Sequence, residues 1–274
     1  MKKAKVYYAK VPNMGDILNK DIIEKNFNCK VIRRNYIVAQ VSGIGSGLGN
    51  YTLEGTSLKK FLKKISGFIF PKAYIWGTGF ITYKNSDAPI YKKKINFCAV
   101  RGELSKARIE KLLGKKLNIV TADAGILANT LLDKMPEKKY DVGIIAHYKE
   151  KDNPIFEKLL KKYKNSILID VQDTPINVTK KIAECKCIIS SSLHGLIIAD
   201  SLRVPNIHIV VTNNLLGDGF KFDDYYSAYG LKHNFININK EELPTLKDIK
   251  DNYRITDQMI KDKSRQMLDC FPIK

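Results

Sequence analysis

One stretch of the chain brings three hydroxyl groups and one imidazole to the start of a predicted helix. Ser190, Ser191 and Ser192 end a short apolar strand, and His194 and Gly195 open the helix that follows. The N–H groups and the dipole at a helix amino terminus favour an anion. The stretch therefore predicts a phosphate or carboxylate cradle with a proton donor attached. Helix capping by the serines and a core position for His194 would explain the same residues equally well.

Arg101 is a second candidate for anion binding. It follows the apolar run NFCAV and precedes another predicted helix. A guanidinium at the end of a buried strand needs an anionic partner, because an unpaired buried charge is costly. That partner is either an anionic substrate or an acidic side chain such as Asp123, and the sequence favours neither.

Glycines form two further candidate ligand-binding segments, GIGSGLG at residues 43–49 and GTG at residues 77–79. Alternating glycines can present backbone N–H groups to an anion, although tight turns use the same residues more often. The spacing matches neither GxxxxGK[ST] nor a GxGxxG that is followed by an acidic ribose partner. The sequence therefore predicts neither of these nucleotide sites.

Metal and classical hydrolase chemistry find little support in the sequence. Cys185 and Cys187 lie at a predicted helix-to-strand turn and have no second pair at zinc spacing. No GxSxG segment is present, and Ser192 and His194 do not make a triad. We expect no metal site and, from five scattered cysteines, no disulfide framework.

Short apolar runs alternate with amphipathic segments of helical length, which is typical of parallel βαβ units. The sequence predicts an α/β fold with strands over residues 5–9, 36–42, 73–76, 96–100, 118–121, 141–146, 166–171, 187–190 and 206–210. It predicts helices over residues 17–26, 103–113, 154–164, 175–185, 193–202 and 256–269.

The segment DKMPEKK at residues 133–139 is the predicted interdomain linker. It separates an N-terminal Rossmann-like domain, residues 1–135, from a C-terminal one, residues 136–240. Residues 241–274 form a predicted helical extension that could pack back on the first domain. In parallel sheets ligands bind outside the carboxyl ends of the strands, and the candidate residues above all follow predicted strands. Their positions predict a cleft between two facing domains.

The charge of the chain is strongly positive, with 47 Lys and Arg against 28 Asp and Glu in 274 residues. Only seven of the basic residues are Arg, the side chain that reads phosphate and guanine through its fork, so we expect no nucleic-acid partner. The lysines recur at helical spacing, which places them on solvated helix faces. Because no apolar stretch is long enough to span a bilayer and no signal-peptide pattern is present, we expect a cytoplasmic protein.

The sequence resembles the polysaccharide pyruvyl transferase family, in particular its ketal-pyruvate transferases of exopolysaccharide clusters. The resemblance rests on short motifs in the family's order: NMGD at 13–16, GIGSGLG at 43–49, WGTGF at 76–80, VRGELS at 100–105, the segment around Asp123, ISSSLHGLIIADSLRVPN at 189–206 and KFDDYYSAYG at 221–230. Members of this family are similar to GT-B glycosyltransferases, in which two Rossmann-like domains face a cleft. The resemblance agrees with the layout that the predicted elements indicate.

The resemblance implies transfer of a pyruvyl group from phosphoenolpyruvate to two sugar hydroxyls, with formation of a cyclic ketal and release of phosphate. No cofactor is implied. His194 would be the general acid, with Asp16 and Asp123 as further catalytic candidates. Several relatives carry Arg where this chain has Ser192, so Arg101 and Lys221 would supply the cations for the donor. The implied substrate-binding residues are Asn13, Gly15, Gly45, Gly47, Gly77, Gly79, Arg101, Ser190, Ser191, Ser192, Gly195 and Lys221.

Two effects oppose each other at His194, since the helix amino terminus disfavours imidazolium and the donor phosphate favours it. We expect a neutral His194 in the free protein and uptake of a proton when the donor binds. The acceptor would be a lipid-linked or polymeric saccharide, and the lysine-rich surface would allow peripheral association with the inner face of the membrane.

Two other functions are open on the sequence alone. A GT-B-type glycosyltransferase would use the same two-domain cleft, and it would release a nucleotide instead of phosphate. A basic protein that binds an anionic polymer would show strongly salt-dependent affinity and no turnover. The second of these functions does not require unusual residues at the strand ends.

Overall fold

Two parallel β-sheets organise the chain in a computed structural model that describes residues 1–9, 13–84, 88–212 and 218–273. The first sheet has the strand order β2-β1-β3-β4-β5-β6, with β1 (Lys2–Tyr7), β2 (Cys29–Arg33), β3 (Val41–Ser42), β4 (Ala73–Trp76), β5 (Ile95–Val100) and β6 (Val120–Thr121). The second has the order β11-β10-β9-β7-β8, with β7 (Tyr140–Ile145), β8 (Ser166–Leu168), β9 (Cys185–Ser190), β10 (Asn206–Val210) and β11 (Phe235–Asn237). This topology confirms the predicted α/β class with two parallel sheets.

The helices connect successive strands and flank both sheets. They are α1 (Met14–Asn26), α2 (Ser57–Ile69), α3 (Glu103–Leu113), α4 (Ile155–Lys162), α5 (Pro175–Ala183), α6 (Leu193–Ser201), α7 (Phe220–Ser227), α8 (Leu246–Asp251) and α9 (Asp257–Asp269), with 3-10 helices at Leu48–Tyr51 and Ala124–Leu131. Side-chain caps begin several of them, as at Thr174 before α5 and Thr256 before α9. Among the described residues, no helix is long and apolar enough to cross a membrane.

Several predicted elements are corrected by the structure. The strand predicted over residues 36–42 is reduced to Val41 and Ser42, because the Asn35 side chain accepts from the N–H groups of Ile37 and Val38 and turns the chain. The strands predicted over residues 118–121 and 166–171 are shorter, at Val120–Thr121 and Ser166–Leu168. The sequence reasoning missed β2, β11, α7 and α8 altogether, and it indicated α2 only through the helical spacing of its lysines.

The two halves of the chain share one apolar core. Leu18 in α1, Ile126 in the second 3-10 helix and Ile197 in α6 are fully buried in the same cluster. The backbone N–H of Met14 also donates to the carbonyl of Val171 at 2.8 Å, which joins the start of α1 to the second half. The carboxyl edges of the two sheets are therefore held against each other by packing as well as by chain connection.

The end of the chain returns to the first sheet. The indole N–H of Trp76 donates to the carbonyl of Met267 in α9 at 3.0 Å. The ring of Phe271 stacks on Phe27 with 3.8 Å between ring centroids and meets Trp76 edge-on. The C-terminal helix therefore packs beside the strand that leads into residues 77–79.

Candidate active site

The amino termini of α1 and α6 meet at Gly15 and His194, which come from opposite halves of the chain. The imidazole lies so close to the first turn of α1 that a Cβ on Gly15 would overlap Nδ1 of His194. Asn13 caps the same turn, since its side chain accepts from the N–H of Gly15 at 3.3 Å. The NMGD and SSSLHG segments are thus brought together at one point, with glycine required by the close approach.

His194 has a buried nitrogen for which the described residues provide no hydrogen-bond partner. Part of the side chain remains accessible, but Nε2 is buried and unpaired. Burial lowers the pKa of His194 to about 3, and the positive charges of Lys221 and Arg101 act in the same direction. The neutral imidazole that we expected is supported, although burial is its main cause. An unpaired nitrogen beside cations is suited to contact an anionic ligand.

His147 is a site residue that the sequence analysis missed. It follows β7, the neighbour of β9 in the sheet, and its backbone N–H donates to the hydroxyl of Ser191 at 2.9 Å. Burial lowers its pKa to about 4, with further contributions from Lys221 and Lys149. The only signal in the sequence was its position after an apolar strand, because strand order is needed to place it beside the SSSLHG segment.

Lys221 lies in the first turn of α7 and faces the same region. Burial is the main cause that lowers its pKa to about 8, the charge of Arg101 acts in the same direction, and Glu150 opposes the shift. Lys221 is therefore largely protonated at pH 7 while it is mostly removed from water. A desolvated ammonium near two neutral imidazoles gives the site a positive potential.

The three serines of the SSSLHG segment have different surroundings. The hydroxyl of Ser190 donates to the carbonyl of Ser192 and accepts from its N–H, both at 2.9 Å, so it shapes the turn into α6. A Cβ on Gly195 would lie 2.6 Å from this hydroxyl, which explains the glycine. Ser191 holds His147, as described above. Ser192 occupies the N-cap position of α6 without a capping hydrogen bond to the described backbone.

Arg101 is fully buried and forms an ion pair with Asp224 of α7, with an Nε–Oδ2 distance of 2.9 Å. Its Nη1 donates to the hydroxyl of Ser46 at 2.9 Å, and its Nη2 donates to the carbonyl of Phe80. The structure therefore pairs Arg101 with Asp224 and not with Asp123, the acidic partner considered in the sequence analysis. Arg101 joins the two glycine segments to α7, and its charge reaches the site through its effects on His194 and Lys221.

The two glycine segments are hydrogen-bonded to each other. The N–H of Gly47 donates to the hydroxyl of Thr78 at 2.8 Å, and the N–H of Gly79 donates to the carbonyl of Gly45 at 3.1 Å. Gly45 and Gly77 have φ angles of 115° and 95°, which favour glycine. The backbone N–H groups of Gly47 and Gly79 are therefore already paired within the protein.

Asn19 also positions this loop and was not found from the sequence. Its side chain accepts from the N–H of Ile44 at 2.8 Å and donates to the carbonyl of Ile44 at 3.2 Å. A Cβ on Gly43 would overlap the Asn19 side-chain oxygen. A buried asparagine in the middle of a helix is the signal that could have indicated such a role.

Asp16 lines a cavity of about 190 Å³ at the carboxyl edge of the first sheet. The cavity wall consists of Tyr7, Tyr8, Ala9, Asp16, Ser42, Ile44, Ser46, Gly47, Thr78 and Ile81. Burial raises the pKa of Asp16 to about 6, against smaller opposing effects of the Ala9 backbone and Arg33. The carboxylate is therefore ionised at neutral pH and basic enough to accept a proton from a bound hydroxyl.

Asp123 is fully buried at the start of the second 3-10 helix. One carboxylate oxygen accepts from the N–H of Gly125 at 2.8 Å, and the other has no partner among the described residues. Burial raises the pKa of Asp123 to about 7. In this structure Asp123 caps the helix and has no exposed surface for a substrate.

Comparison with known proteins agrees with the motif order. The sequence model of the polysaccharide pyruvyl transferase family matches residues 5–213. An uncharacterized protein of Acanthamoeba polyphaga mimivirus is 29% identical over 232 residues, which cover 82% of this chain and 74% of that protein.

Solved structures resemble the fold at low sequence identity. A functionally uncharacterized protein from Klebsiella pneumoniae subsp. pneumoniae has a TM-score of 0.52 and 17% identity, with 86% of this chain and 93% of that chain covered. The structure of S. aureus MnaA with UDP has a TM-score of 0.43 and 11% identity, with coverages of 97% and 91%. The Klebsiella structure shows that this fold is shared.

The family match extends over most of the chain, from β1 through β10, and includes the segments that meet at Gly15 and His194. A pyruvyl-transfer role in polysaccharide biosynthesis follows from that membership. The chain belongs to the polysaccharide pyruvyl transferase family.

Proposed function

We propose that the protein transfers a pyruvyl group from phosphoenolpyruvate to two hydroxyls of one sugar, forming a cyclic ketal and releasing inorganic phosphate. The observation that carries this proposal is the buried Nε2 of His194, which has no hydrogen-bond partner among the described residues and lies under the influence of Lys221 and His147. A donor with a phosphate and a carboxylate matches the positive potential of this region. The sugar would come from a lipid-linked or polymeric saccharide, which would place the reaction at the inner face of the membrane.

The reaction needs one proton at the methylene carbon of the donor. When the dianionic phosphate binds near His194, it favours the protonated imidazole and opposes the effect of burial. Transfer of that proton converts the methylene to a methyl group and leaves an oxocarbenium-like carbon. The imidazole transfers its proton to the methylene carbon of the bound phosphoenolpyruvate. Its position relative to that carbon therefore matters more than its exposure to water.

Two hydroxyl additions complete the reaction. The first sugar hydroxyl adds to the electrophilic carbon and loses its proton, for which Asp16 in the adjoining cavity is the candidate base. Phosphate then departs, stabilised by Lys221, and the second hydroxyl closes the ring while its proton passes to the departing phosphate. One donor and one diol thus yield one ketal and one phosphate. Fixed positive charge near the leaving phosphate is the kind of electrostatic stabilisation that contributes most to such reactions.

The test is release of inorganic phosphate from phosphoenolpyruvate by the purified full chain in the presence of a carrier-linked sugar. The expected result is release that depends on the sugar and proceeds without added nucleotide or nicotinamide. The competing function, a GT-B-type glycosyltransferase, predicts product formation from a sugar nucleotide instead. Nucleotide release from a sugar nucleotide in the absence of phosphoenolpyruvate would overturn the proposal.

A further inference from the structure

Helix α2 is attached to the protein through its polar side. The ammonium of Lys63 donates to the carbonyls of Thr52 at 2.7 Å and Glu54 at 3.2 Å. Ser66 and Gly67 are the buried residues of this helix, and a Cβ on Gly67 would lie 2.5 Å from the carbonyl oxygen of Tyr91. The small and polar face of α2 therefore packs against the body, the reverse of an ordinary surface helix.

The opposite side of α2 exposes a continuous apolar face. Its members are Leu58, Phe61, Leu62, Ile65, Phe68 and Ile69, which are between 41% and 70% exposed. At 100° per residue they cover an arc of about 120°, with Phe68 at one edge and Leu62 at the other. They make up six of the thirteen large apolar side chains that are exposed in the described chain, so the face is a concentration of exposed apolar surface.

Lysines flank the apolar face of α2. Lys64 and Lys60 lie beyond the Phe68 edge of the arc, and Lys59 lies beyond the Leu62 edge. The helix has four lysines in 13 residues and no acidic residue. Apolar side chains on one face with lysines at both margins are typical of helices that lie in the interface of an anionic membrane.

We propose that α2 binds the surface of an anionic lipid bilayer. The six apolar side chains would enter the boundary between headgroups and acyl chains, and Lys59, Lys60 and Lys64 would contact lipid phosphates. Charge favours this occupant over a second copy of the chain, because a two-fold contact between apolar faces would bring six flanking lysines together, three from each copy, without a carboxylate on either helix. A bilayer supplies both the apolar interior and the negative charge.

Membrane binding through α2 would also orient the active site. Residues 50–56 alone separate the glycine loop at residues 43–49 from the start of α2. The rim of the cleft formed by this loop would therefore lie near the lipid headgroups. Only this consequence, access to a lipid-linked sugar, depends on the function proposed above, whereas bilayer binding is independent of it.

The test is sedimentation of the full chain with vesicles of phosphatidylcholine that contain about 30 mol % phosphatidylglycerol, against vesicles of phosphatidylcholine alone. We expect binding to the anionic vesicles and a loss of roughly tenfold or more in partitioning for the double variant Phe61→Ser/Phe68→Ser. Lys60→Glu/Lys64→Glu should also lose binding. The control is Ile176→Ser/Phe235→Ser, which changes two apolar residues of the second half that are each 50% exposed and should bind as the wild type does.

A second measurement reports insertion without removing apolar surface. The chain has one tryptophan, Trp76, and it is fully buried, so Phe61→Trp adds a reporter on α2. Its emission should shift to shorter wavelength when anionic vesicles are added. An unchanged spectrum with no sedimentation of the wild type would overturn the proposal. It would also be overturned if the wild type were a dimer that the Phe61→Ser/Phe68→Ser variant dissociates while neither protein binds vesicles.

Discussion

Arg101 at the end of β5 and Asp224 in α7 form an ion pair of 2.9 Å in which neither side chain has exposed surface. Asp224 also accepts from the N–H of Ser105 at 2.7 Å and from its hydroxyl at 2.6 Å, so it binds the start of α3 as well. Lys221 lies three residues earlier in the same helix α7. The pair therefore fixes the position of the ammonium that faces His194, and its first role is structural.

Replacement of Arg101 by Ala should destabilise the protein by about 3–5 kcal/mol, because it leaves the Asp224 carboxylate buried without its cation. Urea unfolding measures this loss. Arg101→Lys should recover little, since Lys cannot reproduce the hydrogen bonds to Ser46 and Phe80. The matched control is Arg203→Ala, which breaks the exposed pair with Asp257 and should have a much smaller effect. Equal losses in the two variants would contradict the structural role of Arg101.

His194→Gln should lower turnover by about 10²-fold or more and leave the melting temperature nearly unchanged. Gln keeps a polar side chain of similar size and removes the imidazole that would protonate the donor. Single-turnover rates paired with melting curves separate the two effects. Normal turnover in this variant would exclude His194 as the proton donor, and loss of folding would indicate a core histidine.

Binding of inorganic phosphate should weaken as the pH rises through about 8. Burial lowers the pKa of Lys221 to about 8, so deprotonation in this range removes the positive charge that favours the anion. Calorimetric titration with phosphate between pH 7 and pH 9 measures the change. In Lys221→Arg the guanidinium stays charged, and the affinity should vary less over the same range. A steep decline that is unchanged in Lys221→Arg would show that another group is responsible.

Gly15→Ala should cost about 1–3 kcal/mol of stability, because the new methyl group overlaps the His194 ring. The double variant Gly15→Ala/His194→Ala should regain most of that loss, since it removes the ring. The difference between the double variant and the sum of the single variants measures the contact directly. If the effects of Gly15→Ala and His194→Ala on stability were additive, the cost of Gly15→Ala would come from a clash elsewhere in α1 and not from the His194 ring.

The sequence predicted the residues at strand ends well, because hydrophobic runs mark parallel strands and ligands lie beyond their carboxyl ends. His194, Asn13 and Gly15 were selected in this way, and the structure brings them together, although their roles stay predictions. Asp224 and His147 were not, because their roles depend on contacts between residues far apart in the chain. The pairing of Arg101 with Asp224 spans 123 positions, and no local pattern reports such a distance.

Helix α2 shows a different limit of sequence reasoning. Its lysines were correctly assigned to a helix, and a solvated lysine face was expected. The structure leaves Lys59, Lys60 and Lys64 exposed, but it turns Lys63, Ser66 and Gly67 inward and the apolar face outward. A pattern of polar and apolar residues defines two faces of a helix, but the direction in which each points depends on the available contacts, here the close approach of Gly67 to Tyr91.

The common core of Leu18, Ile126 and Ile197 has a consequence for the way in which substrates enter. Wide hinge opening between the two halves would expose these side chains to water, at roughly 1.5–3 kcal/mol for each one fully exposed. Rearrangement of loops at the cleft rim moves far less apolar surface. If the protein transfers a pyruvyl group as proposed, we expect donor and acceptor to exchange through local motion of these loops around a preassembled site.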